Sequence, residues 1–379
     1  MEPKIANTKS PMSDRIQVGI NGRVLVKPSP GGVGRYTHRL LAELTAGSVD
    51  KYECLPVAIG AEDVLNLPDG VKTEGVVPAH SGPRAHLWEQ LTLPRILASE
   101  EYDVFHTPAG NPPVLSQTPL VTTIHDISPI THPEWFTKSY AALYRILTPL
   151  AVRVSDRIIT VSKSARNELI DIYPTAANKT TVIYNGVEGR DTVDSEPVDS
   201  LETGQFLLFV GSVNPRKNLS GLLHAYHHYR QRTSDPYPLV LVGPDNDVFA
   251  STDLPAVDGV HRLGFMSESQ LTWLYDSAAV FLFPSLHEGF GLPILEAMSV
   301  GTPVVTSDRG AMAEVAGNAA HLVDPTDPTA IADGIEDVLE DIEYQYTLSQ
   351  RGRDRASEFT WSQTAHQTAE LFRDVADDA

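Results

Sequence analysis

Short apolar runs alternate with amphipathic stretches along the first half of the chain. The runs typical of β-strands are residues 15–20, 52–59, 104–107, 120–124, 157–161 and 181–184. The stretches with the apolar spacing of a helix are residues 31–44, which open with a glycine loop, 88–98, 139–154 and 163–170. Strands joined by amphipathic helices in this way predict a parallel sheet that is covered by helices on both faces.

The same alternation restarts beyond an acidic stretch, residues 188–204, that has no apolar periodicity. The predicted strands here are residues 206–210, 237–242, 260–263, 279–283, 303–306 and 320–323, and the predicted helices are residues 219–229, 268–276, 293–299, 312–316, 329–340 and 362–376. We therefore predict an α/β protein with two Rossmann-like, doubly wound domains that face each other across a cleft. The predicted boundaries are a disordered tail (1–15), an N-terminal domain (16–187), a linker (188–204), a C-terminal domain (205–358) and a terminal helical segment (359–379).

The composition is that of a globular protein. The 379 residues are 41% hydrophobic, which is enough for two separate cores. No apolar run approaches the ~20 residues that span a bilayer, and the polar N-terminus lacks the apolar stretch of a signal peptide. We therefore expect a cytoplasmic protein. The single cysteine, Cys54, excludes an internal disulfide and a cysteine-based zinc site.

The charge of the chain restricts its partners. Acidic residues outnumber basic ones by 49 to 29, and the net charge is −20. A protein that binds DNA or RNA presents a basic face, so nucleic acid is excluded as a partner. Because a high negative charge resists aggregation in concentrated salt, the composition fits a salt-loving source, and it fits an ordinary acidic cytoplasmic protein equally well.

The most informative segment runs from the predicted strand 279–283 into the predicted helix 293–299. The loop between them contains Glu288 and two glycines, and the helix carries Glu296. A helix N-terminus attracts phosphate, and glycines let the backbone approach a ligand closely. A carboxylate one turn into the helix can accept two hydrogen bonds from a diol such as ribose. The neighbours of Glu296 in the sequence are apolar, so this residue is expected to be buried. Because a buried charge needs compensation, we expect Glu296 to have a partner or a ligand.

Two adjacent cations, Arg216 and Lys217, lie where another strand turns into a helix. Cations oppose the positive end of the helix dipole, so their presence there favours an anionic ligand such as a diphosphate. A glycine loop with Gly32 and Gly34 follows the first strand, where its N–H groups would point toward a phosphate or sugar. Because the loop lacks the G-x-G-x-x-G pattern and its later acidic residue, a dinucleotide site is disfavoured.

Histidines supply the other candidate side chains. His125 precedes Asp126 at the carboxyl end of the strand 120–124, so we expect it to point into the cleft. His106 ends the preceding strand, and for this residue a place in the core and a place in the site are both open. We expect no metal at three histidines of the helix 219–229 that lack an acidic partner in register: His224, His227 and His228.

Together these motifs resemble glycosyltransferase family 4, whose members are retaining enzymes of the GT-B fold. The most specific match is the spacing of Glu288 and Glu296, which are the two acids of the family's E-x7-E motif. The other matching segments are residues 31–36, 125–126, 159–162, 182–187 and 210–218. The resemblance extends from Gln17 to Phe372. It implies that the N-terminal domain takes the acceptor, that the C-terminal domain binds a nucleotide sugar, and that the terminal segment crosses back to the N-terminal domain.

The resemblance also implies roles for particular residues. Arg216 and Lys217 would hold the diphosphate of the donor, and Glu296 would bind the ribose hydroxyls. Glu288 would contact the donor sugar and diphosphate, and His125 would contact the transferred sugar near the reacting centre. The remaining donor contacts would come from glycine loops, main-chain groups and a nucleobase pocket, at Gly32, Gly34, Gly264, Phe265, Phe290, Gly291 and Leu292.

The family needs neither a metal nor another cofactor, which agrees with two cations at the diphosphate site. It has no obvious enzymatic nucleophile, so we expect the acceptor to attack the donor sugar on the same face from which the diphosphate leaves. A glycosidase-like pair of carboxylates is the competing mechanism, and it fits poorly because both glutamates lie beside the diphosphate site.

The substrates follow only by analogy with one subgroup of the family. Residues 88–90 and 125–126 are similar to mannosyltransferase-like members, which implies transfer of a hexose such as mannose or glucose. The acceptor would be a glycan or a lipid-linked sugar, with peripheral contact at the inner face of the membrane. The alternatives are a nucleotide-sugar epimerase of the same fold and a non-catalytic nucleotide-sugar-binding protein.

Overall fold

Two parallel β-sheets organise the chain in a computed structural model that describes residues 15–26, 31–46, 54–59, 66–74, 83–189, 194–199, 201–243 and 257–379. The strands of the first sheet are β1 Ile16–Asn21, β2 Cys54–Ile59, β3 Lys72–Glu74, β4 Val104–Thr107, β5 Leu120–Ile124, β6 Arg157–Thr160 and β7 Thr180–Val182. Their order across the sheet is β3-β2-β1-β4-β5-β6-β7. The predicted tail, residues 1–15, lies outside the described residues apart from Arg15.

The second sheet repeats this arrangement with six strands. They are β8 Leu207–Val210, β9 Leu239–Val242, β10 Val260–Gly264, β11 Val280–Phe283, β12 Val304–Ser307 and β13 His321–Val323. Their order is β10-β9-β8-β11-β12-β13, so the strand order reverses beside the first strand of each sheet. Ligands of doubly wound sheets bind at this reversal, outside the carboxyl ends of the strands. The prediction of two doubly wound α/β domains is confirmed.

Helices cover the faces of both sheets. They are α1 Gly32–Thr45, α2 Pro83–Leu91, α3 Leu93–Ser99, α4 Ser128–Thr131, α5 Lys138–Val154, α6 Lys163–Ile172, α7 Leu219–Arg232, α8 Glu268–Ser277, α9 Leu292–Val300, α10 Gly310–Ala316, α11 Pro328–Glu340, α12 Ile342–Ser357 and α13 Trp361–Asp377. Within the described ranges, none of these helices is long and apolar enough to cross a bilayer.

The single helix predicted at residues 88–98 is wrong, because two helices, α2 and α3, meet at Thr92. Pro94 has no N–H to donate to the carbonyl of Gln90, so an uninterrupted helix would lose a hydrogen bond there. The chain restarts a helix with Pro94 in its first turn, where a missing N–H costs nothing.

Helix α13 lies against the first sheet, although it follows the second sheet in the sequence. Its apolar residues, including Trp361 and Phe372, are buried in one cluster with Leu40 of α1 and Val18 of β1. At the start of the helix, Gly186 lies so close to the backbone of Trp361 that a Cβ at Gly186 would overlap it. The two chain segments that pass between the sheets are therefore packed against each other.

Candidate active site

The turn after β8 places a cation beside Glu288. Asn218 fixes this turn with a left-handed backbone conformation (φ 57°), and its amide donates to the carbonyls of Pro284 (3.1 Å) and Pro325 (2.6 Å). Lys217 Nζ consequently lies 2.6 Å from Glu288 Oε1. Both side chains are buried, with 8% of Lys217 and 9% of Glu288 exposed. Two ionisable groups that sequence analysis assigned to one site are thus in direct contact.

The surrounding charges keep Glu288 ionised. Burial alone would raise the pKa of Glu288, but Lys217 and then Arg216 lower it below its usual value. Burial lowers the pKa of Lys217, and the attraction of Glu288 only partly offsets this. Arg216 Nη2 lies 3.8 Å from Glu288 Oε2. A carboxylate shared by two cations cannot serve as the proton donor that a glycosidase needs, because that role requires a raised pKa.

Arg216 also joins the two halves of the cleft. Its Nη1 atom lies 3.0 Å from Oδ2 of Asp126, which follows β5 in the first sheet. Asp126 Oδ1 accepts hydrogen bonds from the backbone N–H (2.9 Å) and the hydroxyl (2.7 Å) of Ser128. Although burial opposes ionisation, Arg216 and these hydrogen bonds lower the pKa of Asp126 to about 2. The Asp126 carboxylate is therefore a fixed negative charge that orients Arg216.

A second bridge across the cleft is made by His287, which sequence analysis did not single out. Its Nε2 lies 3.0 Å from Oε1 of Glu168, and its Nδ1 lies 3.1 Å from the hydroxyl of Ser128. The single hydrogen of that hydroxyl is directed to Asp126, so Nδ1 must be the donor to Ser128. Nε2 lies against the Glu168 carboxylate, whose hydrogen bond and charge raise the pKa of His287 above its usual value and so favour the imidazolium.

His125 lies at the carboxyl end of β5 and lines the cleft. Its Nε2 atom is 2.9 Å from the carbonyl oxygen of Pro108, so Nε2 carries the hydrogen and donates it. Tyr36 packs edge-on against the ring with centroids 4.9 Å apart. Burial lowers the pKa of His125. The side chain is therefore a neutral imidazole with a fixed tautomer whose Nδ1 can accept a hydrogen bond.

The open question about His106 is answered by its surroundings. The residue is fully buried, its Nε2 lies 2.9 Å from the hydroxyl of Thr123, and its ring packs against Phe372 of α13. Burial lowers the pKa of His106 to about 3. His106 is a neutral histidine in the core beneath α13.

The glycine loop before α9 touches the backbone of His125. A Cβ on Gly289 would overlap the carbonyl oxygen of His125, and the hydroxyl of Ser162 donates to the Gly289 carbonyl at 2.7 Å. Gly291 has a φ of 105°, which only glycine adopts without strain. Phe290 is buried and turned toward Phe359. The loop therefore offers backbone groups to the cleft, while the Phe290 ring anchors it.

Glu296 has partners from both domains. Its Oε1 accepts from Arg35 Nη1 of α1 at 2.8 Å, and its Oε2 accepts from the Tyr275 hydroxyl of α8 at 2.8 Å. Arg35 also reaches Glu268, and the charge of Glu296 is the main reason that the pKa of Arg35 is raised. Arg35 and Tyr275 were missed in the sequence. The only signal for Arg35 is its place directly after the glycine loop.

The remaining predicted residues lie at other points of the cleft edges. Helix α1 begins at Gly32, which is exposed, and Gly34, two residues further into the same turn, is buried. Leu292 is the first residue of α9. Gly264 ends the edge strand β10 with a φ of 64°, and Phe265 is 72% exposed beside it. Over the described ranges, no group of three or more His, Cys, Asp and Glu side chains is arranged to hold a metal ion.

Comparison with known proteins agrees with this architecture. The family model described as "Glycosyltransferase Family 4" matches residues 30–189, and the model described as "Glycosyl transferases group 1" matches residues 192–355. The O-antigen chain mannosyltransferase B of Escherichia coli is 30% identical over 368 residues, which cover 90% of this chain and 96% of that protein.

Two solved structures share the whole architecture. The sucrose-phosphate synthase of Thermosynechococcus elongatus superposes with a TM-score of 0.69 at 20% identity, covering 96% of this chain and 100% of that one. Anabaena HepE in complex with UDP and glucose gives a TM-score of 0.68 at 19% identity, covering 94% and 99%. The fold is therefore GT-B. Because its two halves match the family models and a mannosyltransferase resembles it over nearly its full length, the chain belongs to glycosyltransferase family 4 and is a glycosyltransferase.

Proposed function

We propose that this glycosyltransferase is a retaining, metal-independent enzyme that moves a hexose, mannose or glucose, from a nucleotide-diphosphate sugar to a glycan or lipid-linked acceptor. The observation that carries the proposal is the buried cluster of Lys217, Arg216 and Glu288, which lies next to His125 in the cleft. Two fixed cations at the reversal of strand order are suited to a diphosphate and to the charge that it gains on departure.

The donor would lie along the carboxyl ends of the second sheet. Its diphosphate would face Lys217 and Arg216, and its ribose would face Glu296. Three glycines lie at the carboxyl ends of neighbouring strands: Gly211 follows β8, Gly243 follows β9, and Gly264 is the last residue of β10. Gly243 lies so close to the Gly211 carbonyl that a side chain would overlap it. Glycines at the ends of three neighbouring strands let the backbone approach a ligand closely, which supports binding of a flat nucleobase.

The proposed reaction needs no covalent enzyme intermediate. The bond between the anomeric carbon and the diphosphate oxygen breaks, and the acceptor hydroxyl attacks the same face of the sugar. Its proton passes to the departing diphosphate oxygen, so the charge balances. Glu288 would stabilise the site electrostatically, since its low pKa and its ion pairs make it a poor nucleophile. Neutral His125 would orient the sugar.

The experiment begins with thermal unfolding in the presence of GDP, UDP and their sugars, because a ligand of the folded state raises the melting temperature. The stabilising sugar nucleotide is then supplied with mannosyl and glucosyl acceptors, and the anomeric configuration of the product is read by NMR. We expect retention and full activity in EDTA. Inversion would overturn the mechanism, and inhibition by EDTA that Mg²⁺ reverses would overturn metal independence.

A further inference from the structure

Apart from the proposed donor site, a cavity opens on the N-terminal side of the cleft, next to His125. Its walls come from the loop after β4, the segment after β5 and helix α5, and every lining residue but one precedes the linker. The exception is Arg216, which reaches in from the second sheet. The proposed donor residues Lys217, Glu288 and Glu296 do not line it. The cavity thus meets the donor site only at the shared residues His125, Asp126 and Arg216.

One wall of the cavity is a ladder of aromatic rings. Tyr140, Tyr144 and Thr148 follow one another at a spacing of four residues, so they line one face of α5, and Phe136 lies just before this helix. The rings of Phe136 and Tyr140 lie 5.4 Å apart with an interplanar angle of 12°. Those of Tyr140 and Tyr144 lie 4.6 Å apart at 30°. Because Tyr140 is stacked between Phe136 and Tyr144, Tyr144 is the ring at the α5 end of this stack, and the C–H face of a pyranose can pack on it while the sugar hydroxyls remain at the ring edge.

The charges in the cavity disfavour an anionic ligand. Among the described residues that line it, the charged side chains are Asp126 and Arg216, which pair with each other at 3.0 Å. Arg216 is also shared with Glu288. A phosphate placed here would face the Asp126 carboxylate and would compete with the donor diphosphate for Arg216, the one cation that lines the cavity among the described residues. A neutral sugar ring that brings hydroxyl groups to Asp126 is not repelled by this carboxylate.

The polar groups of the cavity converge on the point where the donor sugar would lie. The inner end of the cavity is formed by His125, Asp126 and Arg216. The charges of Asp126 and Arg216 both act on the pKa of Tyr140, which therefore lies near them. Burial, the neighbouring Tyr144 hydroxyl and Asp126 raise the pKa of Tyr140, so its phenol stays neutral. A sugar stacked on the ladder would direct an edge hydroxyl toward His125.

We infer that this cavity binds the acceptor as a neutral hexopyranose at the end of a glycan, stacked on Tyr144, and not as a lipid phosphate. The inference rests on the proposed function, since it supplies the second substrate of the same reaction. It assigns Tyr144 to acceptor specificity, with no contact to the donor.

The test compares acceptors and ring substitutions in the full-length chain. The acceptor probes are a methyl mannopyranoside, a methyl glucopyranoside and a short-chain polyprenyl phosphate, each with the sugar nucleotide that stabilises the protein. We expect transfer to a neutral glycoside and none to the polyprenyl phosphate. Tyr144→Phe keeps the stacking face, so the acceptor KM should stay within about threefold of wild type, whereas Tyr144→Leu and Tyr144→Ala should raise it about tenfold. The donor KM serves as the internal reference.

Tyr346, an aromatic residue of α12 that is 67% exposed, provides the control. Tyr346→Ala should change neither KM. If the leucine and alanine variants unfold, saturation-transfer NMR on the wild-type protein replaces them, and the strongest transfer is expected at the C–H face of the bound glycoside. Transfer to the polyprenyl phosphate alone, or a wild-type acceptor KM in Tyr144→Leu, would overturn the inference and leave the proposed function standing. A protein that neither binds a sugar nucleotide nor consumes one would overturn both.

Discussion

Lys217 and Glu288 form a buried ion pair at 2.6 Å, and each comes from a different loop of the second sheet. Removal of one partner leaves the other charge buried. Breaking such a pair costs about 3–5 kcal/mol, but here Arg216 lies 3.8 Å from Glu288 and supplies part of the missing charge. The pair therefore matters more to the proposed reaction than to folding.

We predict that Lys217→Ala lowers kcat at least about a hundredfold, which is typical for loss of one preorganised group that stabilises developing charge. The protein should remain folded, with a lowered melting temperature. Glu288→Ala should cause a similar loss of activity, and the double variant should lose much less than the sum, because both changes disrupt one pair. Lys138→Ala, at an exposed position of α5, is the matched control. Wild-type turnover in Lys217→Ala would refute the assignment of the diphosphate site.

Glu296 gives a second prediction, on nucleotide affinity. If the carboxylate binds the ribose diol, Glu296→Gln should weaken the binding of the preferred nucleoside diphosphate about tenfold to a hundredfold, as loss of a charged hydrogen-bond partner does. The effect should nearly vanish for a nucleotide that lacks both ribose hydroxyls. Isothermal titration calorimetry measures both affinities.

Glu268→Gln is the control for this prediction. Glu268 also contacts Arg35, but it is 67% exposed and was not predicted to bind the ribose. Its substitution should leave nucleotide affinity within about twofold, as expected for a surface ion pair. An equal loss of nucleotide affinity in Glu296→Gln and Glu268→Gln would mean that Glu296 acts by holding Arg35 and does not bind the ribose.

The sequence predicted the parts that depend on local pattern. Strands β4 and β5 match their predicted bounds because they are short runs of β-branched and large side chains, and every residue in them is buried. Helix α12 was missed because its buried positions, Leu348, Gly352 and Ala356, include two small residues and form no apolar stripe. Gly352 is needed there for close packing on Met298 of α9. Such packing cannot be inferred from hydrophobic periodicity.

The candidate site was predictable one domain at a time. Lys217 and Glu288 follow strands of one sheet, so the carboxyl-edge rule brings them together. The contacts across the cleft were not predictable. Arg35 and Glu296 are 261 residues apart, and His287 and Glu168 are 119 apart. These pairs depend on the angle at which two separately folded domains meet, and no local pattern encodes that angle.

The imidazolium of His287 predicts a dependence on pH. Burial alone would lower its pKa, but the hydrogen bond and charge of Glu168 raise it above the usual histidine value. A raised folded-state pKa stabilises the protein below the unfolded-state pKa, and this contribution disappears as pH rises through the folded value. As pH rises above the ordinary histidine pKa, the melting temperature of the wild-type protein should therefore fall more steeply than that of His287→Gln.

His227→Gln is the control for this effect, because His227 is an exposed histidine of α7 that contacts only Gln231 among the described hydrogen-bond partners. Its pH profile should follow that of the wild type. Glu168→Gln should flatten the profile as His287→Gln does. If His287→Gln or Glu168→Gln left the pH dependence of the melting temperature as it is in the wild type, His287 would be neutral in the folded protein.

Gly289 predicts how closely the two domains must approach for activity. A Cβ at this position overlaps the carbonyl oxygen of His125, so Gly289→Ala must push the donor loop away from the first sheet. Displacement of reacting groups by about 1 Å can cost about a hundredfold in rate, and we expect a loss of kcat of that order. Nucleotide affinity should change little, because the second sheet supplies those contacts. Gly189→Ala is the control, since a Cβ there meets no atom within 4 Å. Equal losses of kcat and nucleotide affinity in Gly289→Ala would indicate a collapsed donor loop, whereas a selective loss of kcat would support a reaction that needs Gly289 against His125.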